Sequence, residues 1–316
     1  MKEEQPFHFP LSFDDALELA VGEEQIPPKL FIDVRQGDCR ERLKALGTNS
    51  VHMVLTDPPY YLDGLDADWR KGKADSVRGT GSVGGLPVGM RFDPRQGKAL
   101  QEFLEPIDAQ LMRVLVPGGF FVSFSQPRLF HRMAIAAENA GFEIRDMFAW
   151  HYTQRAQFKA FSMKHFVEKM DIPKKEQSAI LRALQGRKTP QLRPQFESLM
   201  LAQKPREGTF VENWLEYKTG LIDATKTLSG AAPTTLMTVE KPIRDTYNSH
   251  LTIKPVRLLM HLIELFTLKG QVVLDPFLGS GATALATIQT ARSCIGIEIN
   301  PEYVEIAERR IKEVNA

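Results

Sequence analysis

Apolar residues in this sequence follow two kinds of pattern. Between Leu100 and Leu115 they recur at the three- and four-residue spacing of a helix, which predicts a helix over 99–115. Pro117-Gly118-Gly119 is predicted to end that helix as a turn. A second helix is expected at 256–266. Short apolar runs with the length of buried strands lie at 30–34, 51–55, 120–124, 142–150, 271–274 and 293–299. Strands that alternate with helices are typical of α/β proteins.

The strand predicted at 51–55 leads into a rigid polar turn, Asp57-Pro58-Pro59-Tyr60. The two prolines fix φ and remove two backbone N–H donors, which leaves carbonyls beside a carboxylate and an aromatic ring. Such a turn suits a flat substrate that carries an amino group. Asp57 and the Pro58 carbonyl can accept the amino hydrogens, and Tyr60 can stack on the ring. An ordinary turn at the end of a strand is the alternative.

A second candidate site follows the strand predicted at 271–274. Here Asp275-Pro276-Phe277-Leu278-Gly279-Ser280-Gly281 precedes a helix, and glycines at such a place let the backbone approach a ligand above the helix N-terminus. Glu298 lies 298 − 275 = 23 positions after Asp275, where nucleotide-binding α/β folds hold a ribose. The loop also fits the dinucleotide pattern G-x-G-x-x-G/A, so by itself it allows an NAD oxidoreductase.

Together the two motifs resemble those of the amino-group DNA methyltransferases, which modify adenine N6 or cytosine N4. The resemblance covers roughly 30–150 and 194–316, with the permuted motif order of the beta class. It implies the S-adenosylmethionine-dependent methyltransferase fold, an α/β fold with a doubly wound, mostly parallel sheet of seven strands. The strands at 271–274 and 51–55 should then be neighbours, so that both loops emerge at one carboxyl edge. The segment 194–205 resembles the family's hairpin strand, whereas 206–242 is turn-rich and predicts no element.

The resemblance implies S-adenosylmethionine as the cofactor, with no metal required. It assigns catalysis to Asp57, Pro58, Pro59 and Tyr60. The residues it assigns to cofactor binding are Asp38, His250, Lys254, Asp275, Phe277, Gly279, Gly281 and Glu298.

Each cofactor residue has an expected place in the resemblance. Asp38 should lie beside the adenine ring of the cofactor, and Glu298 on the ribose. His250, Lys254, Phe277 and both glycines should line the methionine portion, with Asp275 near its amino group. Four of these residues have structural alternatives. Asp38 can cap the helix that follows it, His250 and Lys254 can cap the helix at 256–266, and Phe277 can belong to the core.

Positive charge is concentrated in one stretch of the chain. Residues 155–193 contain ten basic and three acidic residues, or 10 − 3 = +7, so the rest carries 1 − 7 = −6. A local basic cluster is the expected footprint on phosphates, and a solvated helical face is the alternative. The candidates for DNA binding are Lys159, Lys164, Lys169, Lys174, Lys175, Arg182, Arg187 and Lys188.

Four segments are expected in the chain. They are an N-terminal extension (1–29), the catalytic half of the methyltransferase domain (30–150), a target-recognition region (151–245) and the cofactor-binding half (246–316). Within the catalytic half, the glycine-rich stretch 61–95 is expected to be a loop that becomes ordered when DNA binds. Phe92 in that stretch is a candidate second face for the target base.

These observations predict a site-specific DNA methyltransferase that transfers a methyl group directly to adenine N6 of a flipped-out base. Asp57 favours adenine, because the family's cytosine enzymes usually begin this motif with Ser. Cytosine N4 is the alternative. RNA and protein-glutamine methyltransferases usually carry Asn at the position of Asp57, and a catalytically dead DNA-binding relative would not need an intact Asp57, Tyr60 and glycine loop.

The cysteines and the apolar runs bear on the cellular location of the protein. The two cysteines, Cys39 and Cys294, lack a C-x-x-C partner, which argues against a disulfide framework and a structural zinc and fits a reducing cytoplasm. No apolar run reaches the roughly 20 residues that span a bilayer. We therefore expect a cytoplasmic, nucleoid-associated protein of bacterial or phage origin, with double-stranded DNA as its partner. A homodimer is compatible with the family, and a restriction endonuclease partner is left open.

Overall fold

The computed structural model describes residues 29–59, 94–152, 160–190, 192–228, 230, 232–241 and 254–315, and the backbone of 82–83 and 86–87. The strands in these ranges are β1 Ile32–Gln36, β2 Val51–Thr56, β3 Ser82–Val83, β4 Leu86–Pro87, β5 Leu115–Ser125, β6 Glu143–His151, β7 Phe196–Gln203, β8 Leu236–Thr238, β9 Val272–Asp275 and β10 Ser293–Glu298. The helices are α1 Cys39–Arg42, α2 Pro94–Val114, α3 Phe130–Asn139, α4 Lys164–Val167, α5 Lys174–Ala183, α6 Phe210–Tyr217, α7 Val256–Phe266, α8 Ala282–Gln289 and α9 Pro301–Asn315, with a 3₁₀ turn at Leu43–Ala45.

One mostly parallel sheet organises this part of the chain, in the order β1-β10-β9-β2-β5-β7-β6-β8. The strand β7 runs antiparallel to both of its neighbours, and the other pairs are parallel. As predicted, β9 lies beside β2, with Val273 opposite Met53 and Leu274 opposite Val54. The predicted α/β class and the return of 194–205 to the sheet are confirmed.

The predicted number of seven strands in the sheet is wrong, because the described residues form a large sheet with eight strands. The additional strand, β8, pairs in parallel with β6 at the edge of the sheet. It is held by backbone hydrogen bonds: the Ala149 N–H donates to the Thr235 carbonyl at 2.7 Å, and the Val239 N–H donates to the His151 carbonyl at 3.1 Å. A strand of three residues is too short to show an alternating pattern, so only its pairing partner defines it.

The predicted Pro-Gly-Gly turn is also wrong, because these residues lie inside β5. Gly118 has φ +75°, and the pairing of β5 with β2 shifts register at this point. The backbone groups at the irregularity have partners: the Asn213 amide donates to the Pro117 carbonyl at 3.2 Å, and the Lys204 N–H donates to the Gly119 carbonyl at 2.9 Å. Because these partners come from α6 and from the residue directly after β7, the strand continues through a sequence that predicts a break.

Helices cover both faces of the sheet. Val54 and Phe121 face α2 and α3, where the predicted helical stripe of Leu100, Leu104, Ile107 and Leu111 is buried. Met53 and Leu55 point to the opposite face, against α7. This double coverage is why the central strands are apolar on both sides. No helix in the described ranges combines the length and apolar character needed to cross a bilayer.

Candidate active site

The two predicted loops lie together at the carboxyl edge of the parallel strands. Asp57 follows the last residue of β2, Asp275 ends β9, and Glu298 ends β10. After Asp57, Pro58 is buried and Pro59 is half-buried. Because β10, β9 and β2 are consecutive in the sheet, a substrate held at the turn would lie beside a ligand held at the glycine loop.

Asp275 joins the two loops. Its carboxylate accepts hydrogen bonds from the Thr56 hydroxyl at 2.7 Å, from the Thr283 hydroxyl at 2.6 Å and from the Phe277 N–H at 3.0 Å. Burial raises the pKa of Asp275 to about 6, against the effect of these donors. Both carboxylate oxygens therefore hold protein groups together, and the expected contact with a cofactor amino group stays a prediction.

The glycine loop has the backbone geometry that its sequence predicts. Gly279 and Gly281 have φ angles of +53° and +85°, which residues other than glycine rarely adopt. A β-carbon on Gly281 would also lie 2.9 Å from the β-carbon of Ala307. The helix α8 starts at Ala282, directly after the loop, so its free N–H groups point toward the ligand side.

Glu298 is ordered by the same loop. Its side chain accepts hydrogen bonds from the Gly279 N–H and the Asn300 N–H, both at 2.8 Å. Burial raises the pKa of Glu298, and the N–H donors oppose that shift. A buried, oriented carboxylate beside a glycine loop fits the ribose hydroxyls of S-adenosylmethionine. The role itself stays a prediction.

The structure confirms two of the structural alternatives. Asp38 caps α1, where its side chain accepts a 2.9 Å hydrogen bond from the Arg40 N–H and pairs with the Arg40 guanidinium, which lowers the pKa of Asp38. Phe277 belongs to the core, with its ring centroid 6.1 Å from that of Phe103. Contacts of Asp38 and Phe277 with the cofactor stay predictions.

Lys254 contacts the catalytic turn. Its side chain is 7% exposed, and its ammonium pairs with Asp57 Oδ2 and lies 3.5 Å from Glu197 Oε2. Burial by itself lowers the pKa of Lys254, but the two carboxylates outweigh it and raise the pKa. The expectation that Lys254 caps the helix is wrong, because α7 begins after Pro255 without a side-chain cap.

Glu197 was not among the predicted site residues. It lies near the start of β7, opposite Trp150 of β6, and therefore at the carboxyl edge. Its Oε1 lies 3.3 Å from Nζ of Lys241, which follows β8. An acidic residue directly before the buried residues 198–203 is only a weak sequence signal for a functional side chain. Only the antiparallel insertion of β7 between β5 and β6 brings it to Lys254.

The predicted basic cluster forms a small helical unit where it is described. Residues 160–190 contain α4 and α5, joined at their ends by a bridge between Ser162 and Lys188 and by a 3.0 Å hydrogen bond from the Thr189 N–H to the Phe161 carbonyl. All the described candidates are exposed: Lys164, Lys169, Lys174, Lys175, Arg182, Arg187 and Lys188. Exposure fits a phosphate contact and a solvated face equally, so DNA binding stays a prediction.

Some predicted residues lie outside the described ranges. They are the catalytic Tyr60, the cofactor candidate His250, the DNA candidate Lys159 and Phe92 of the expected lid. The boundaries of the four expected segments also remain predictions.

Comparison with known proteins identifies the family. The family model for N6 and N4 methyltransferases, which carries the description DNA methylase, matches residues 51–309. The type II methyltransferase M.HindIII of Haemophilus influenzae is 28% identical over 289 residues, which cover 85% of this chain and 91% of that protein.

Solved structures show the same fold. The PvuII DNA methyltransferase, titled cytosine-N4-specific, has a TM-score of 0.58 and 18% identity, over 90% of this chain and 92% of that one. M1.HpyAVI, solved as its complex with S-adenosylmethionine, has a TM-score of 0.53 and 20% identity, over 89% of this chain and 99% of that one. Because the family model spans most of the sequence, the chain belongs to the N6/N4 family of DNA methyltransferases.

Proposed function

We propose that this protein is a site-specific DNA methyltransferase that methylates adenine N6 of a flipped-out base. The observation that carries the proposal is the connection of the Asp57 turn to the glycine loop through the 2.7 Å hydrogen bond from Thr56 to Asp275. It ties the group that would hold the amino nitrogen to the loop that would hold the methyl donor. Alignment of this kind contributes up to about 7–11 kcal/mol in well-oriented systems.

For methyl transfer the protein has mainly to orient the target base and the methyl donor. When bound, S-adenosylmethionine supplies a methyl group on a sulfonium, which is open to attack from the side opposite the sulfur. Asp57 and the Pro58 carbonyl accept the two amino hydrogens of the base, so that the nitrogen lone pair faces the methyl group. The amino nitrogen would form the new N–C bond while the S–C electron pair stays on sulfur as a neutral thioether, and the nitrogen would then release one proton to water. Tyr60 is proposed to stack on the base.

The cofactor would be held by the glycine loop and its neighbours. Glu298 would accept hydrogen bonds from the ribose hydroxyls, as an extension of its bonds to Gly279 and Asn300. Gly279 and Gly281 would let the backbone approach the methionine portion, and Asp38 would face the adenine ring. The basic unit at 160–190 would contact DNA phosphates within a target-recognition region at 151–245.

Adenine is proposed because the motif begins with Asp57. The second candidate is cytosine N4, and the fold shared with the cytosine-N4-specific PvuII enzyme keeps it under consideration. Both bases present an exocyclic amino group that fits the same turn, so the choice of adenine rests on the residue that usually begins this motif in the family and not on the geometry of the turn.

The test is incubation of purified protein with labelled S-adenosylmethionine and unmethylated genomic DNA, followed by nucleoside analysis. We expect N6-methyladenine, and sequencing of the modified DNA would then give the recognition site. N4-methylcytosine would overturn the choice of adenine and keep the class. Absence of label in DNA from a protein that binds the cofactor would contradict the proposal and direct the search to RNA and protein substrates.

A further inference from the structure

Two carboxylates from distant parts of the chain share one buried ammonium. The Lys254 side chain pairs with Asp57 after β2 and with Glu197 in β7, and its Nζ lies 4.9 Å from the centre of the Phe124 ring. Because Lys254 is 7% exposed, its charge is compensated by protein groups rather than by water. Glu197 is 21% exposed and also pairs with Lys241, whose side chain is 33% exposed and therefore more strongly screened.

The balance of these charges affects methyl transfer. The amino nitrogen of the base gains positive charge as its new bond forms, so a negative group beside it stabilises the transition state. An ammonium that pairs only with Asp57 would cancel that negative charge at short range. Glu197 cancels the ammonium in turn. The three groups Asp57, Glu197 and Lys254 then sum to −1 − 1 + 1 = −1.

We propose that Glu197 is a positioning residue for methyl transfer, which acts through Lys254. It compensates the charge of Lys254 and so leaves the Asp57 carboxylate with a negative field toward the amino group of the base. Lys254 in turn orients Asp57. This inference rests on the proposed role of Asp57, and it assigns Glu197 no contact with the base or with the cofactor.

The surroundings favour a strong effect of this charge. Phe124 and Trp150 meet edge to face with ring centroids 6.1 Å apart, and both side chains are fully buried. They form an apolar wall beside the ammonium and the carboxylates. Charges in such surroundings interact more strongly than charges in water, so loss of one carboxylate changes the electrostatic potential at the other.

The experiment compares Glu197→Gln, Lys254→Met and the double variant in single-turnover methylation of DNA. In Glu197→Gln the three positions sum to 0, and we expect transfer to slow at least about tenfold. In Glu197→Gln the dissociation constant of S-adenosylmethionine should stay within about twofold, because Glu197 is not a cofactor candidate. Lys254 is one, so Lys254→Met and the double variant are assayed with S-adenosylmethionine at saturation. The double variant restores the sum of −1 and should recover much of the rate. A residue that only supports packing would leave the double variant as slow as the slower single variant, which would overturn the inference.

A pH profile gives an independent readout. Among the residues that the structure describes, Asp57, Glu197 and the Phe124 ring face Lys254, with Lys241 behind Glu197. Loss of Glu197 removes one of the two carboxylates that raise the pKa of Lys254. Alkaline pH should then remove the ammonium from Glu197→Gln, and its transfer rate should rise relative to wild type. Glu197→Asp keeps the charge and should retain most of the rate; a loss equal to that of Glu197→Gln would contradict the charge role.

Two controls separate this inference from the proposed function. Glu143→Gln removes a half-buried carboxylate that pairs with Arg145 at 3.4 Å, at the opposite end of β6, and should leave the rate unchanged. Asp57→Asn tests the catalytic role. If Asp57→Asn abolishes transfer while Glu197→Gln keeps the wild-type rate, only the inference about Glu197 is wrong. If Asp57→Asn transfers at the wild-type rate, the proposed function of the turn is wrong and the inference falls with it.

Discussion

The Thr56 hydroxyl donates a 2.7 Å hydrogen bond to the carboxylate of Asp275, a residue 219 positions later in the chain. Thr56 directly precedes Asp57, and Asp275 opens the glycine loop. The same carboxylate accepts hydrogen bonds from Thr283 in α8 and from the Phe277 N–H. One buried side chain therefore connects the last residue of β2 with both ends of the loop. A shift in the loop would reach Asp57 through a single hydrogen bond.

Thr56→Val should uncouple these two loops. The change removes the hydroxyl and leaves a buried carboxylate oxygen with one donor fewer, so the free energy of unfolding should fall by about 1–3 kcal/mol. Methyl transfer should fall further than cofactor affinity, because the turn would lose its tie to the loop. Urea denaturation and single-turnover assays measure the two effects. Thr290→Val is the control, since its hydroxyl bonds to the Ala286 carbonyl within one helix end. Equal losses of transfer in both variants would contradict the coupling.

Asp57→Asn should abolish methyl transfer, with a loss of at least about 10²-fold, and leave cofactor binding nearly intact. Asn keeps the shape of the side chain but lacks the charge that attracts the amino group, and it leaves Lys254 with Glu197 as its carboxylate. Transfer assays and calorimetric titration with S-adenosylmethionine provide the comparison. A variant that loses both properties equally would refute the division of roles between the turn and the loop.

Asp275 should make stability depend on pH. Its pKa is raised by burial to about 6 in the folded state, above the value of about 3.9 in an unfolded chain. The folded state therefore binds the proton more tightly, and this contribution to stability is present below pH 4 and lost as the pH rises through 6. The loss amounts to roughly 2–3 kcal/mol.

Asp275→Asn isolates this contribution, because it removes the titrating group and leaves the others in place. The free energy of unfolding of both proteins is measured by urea denaturation from pH 4 to 7.5. As the pH rises, the wild type should lose stability relative to the variant. A difference that stays constant over this range would exclude Asp275 as the titrating group.

Glu298→Gln should weaken cofactor binding about 10-fold or more, because a charged acceptor of the ribose hydroxyls contributes about 1.5–3 kcal/mol. The variant can still accept a hydrogen bond from Gly279 or Asn300, which limits damage to the loop. Calorimetric titration measures the change in dissociation constant. Glu302→Gln, an exposed residue in the first turn of α9, serves as the matched control. An unchanged dissociation constant in Glu298→Gln would remove this residue from the ribose.

Charge reversal in the basic unit should change how DNA binding responds to salt. Lys174 and Lys175 are exposed in the first turn of α5, and each phosphate contact adds about 0.9 to the slope of log affinity against log salt. Replacement of both by Glu should lower affinity and reduce the slope by about 1–2. The control reverses Arg309 and Lys312, which are exposed on α9. Slopes that fall equally in both variants would place the DNA elsewhere.

Much of the fold follows from local patterns. The helix predicted at 256–266 has those bounds in α7, and the strand predicted at 51–55 is β2 with one residue more. The helix has strong periodicity, and the strand is an apolar run interrupted only by His52; both patterns lie in neighbouring residues. The Pro-Gly-Gly sequence within β5 and the three-residue β8 could not be predicted in this way. Each depends on backbone partners from another part of the chain.

The sequence by itself determined the family and the two loops of this protein, because Asp57-Pro58-Pro59-Tyr60 and the glycine loop are contiguous motifs whose chemistry lies in neighbouring residues. Only the tertiary structure decided the partners of those residues. It brings Glu197 to Lys254, and Thr56 to Asp275, through the order of the strands and the antiparallel insertion of β7. Such contacts depend on which strands lie side by side, and no local pattern specifies the partner of a buried charge.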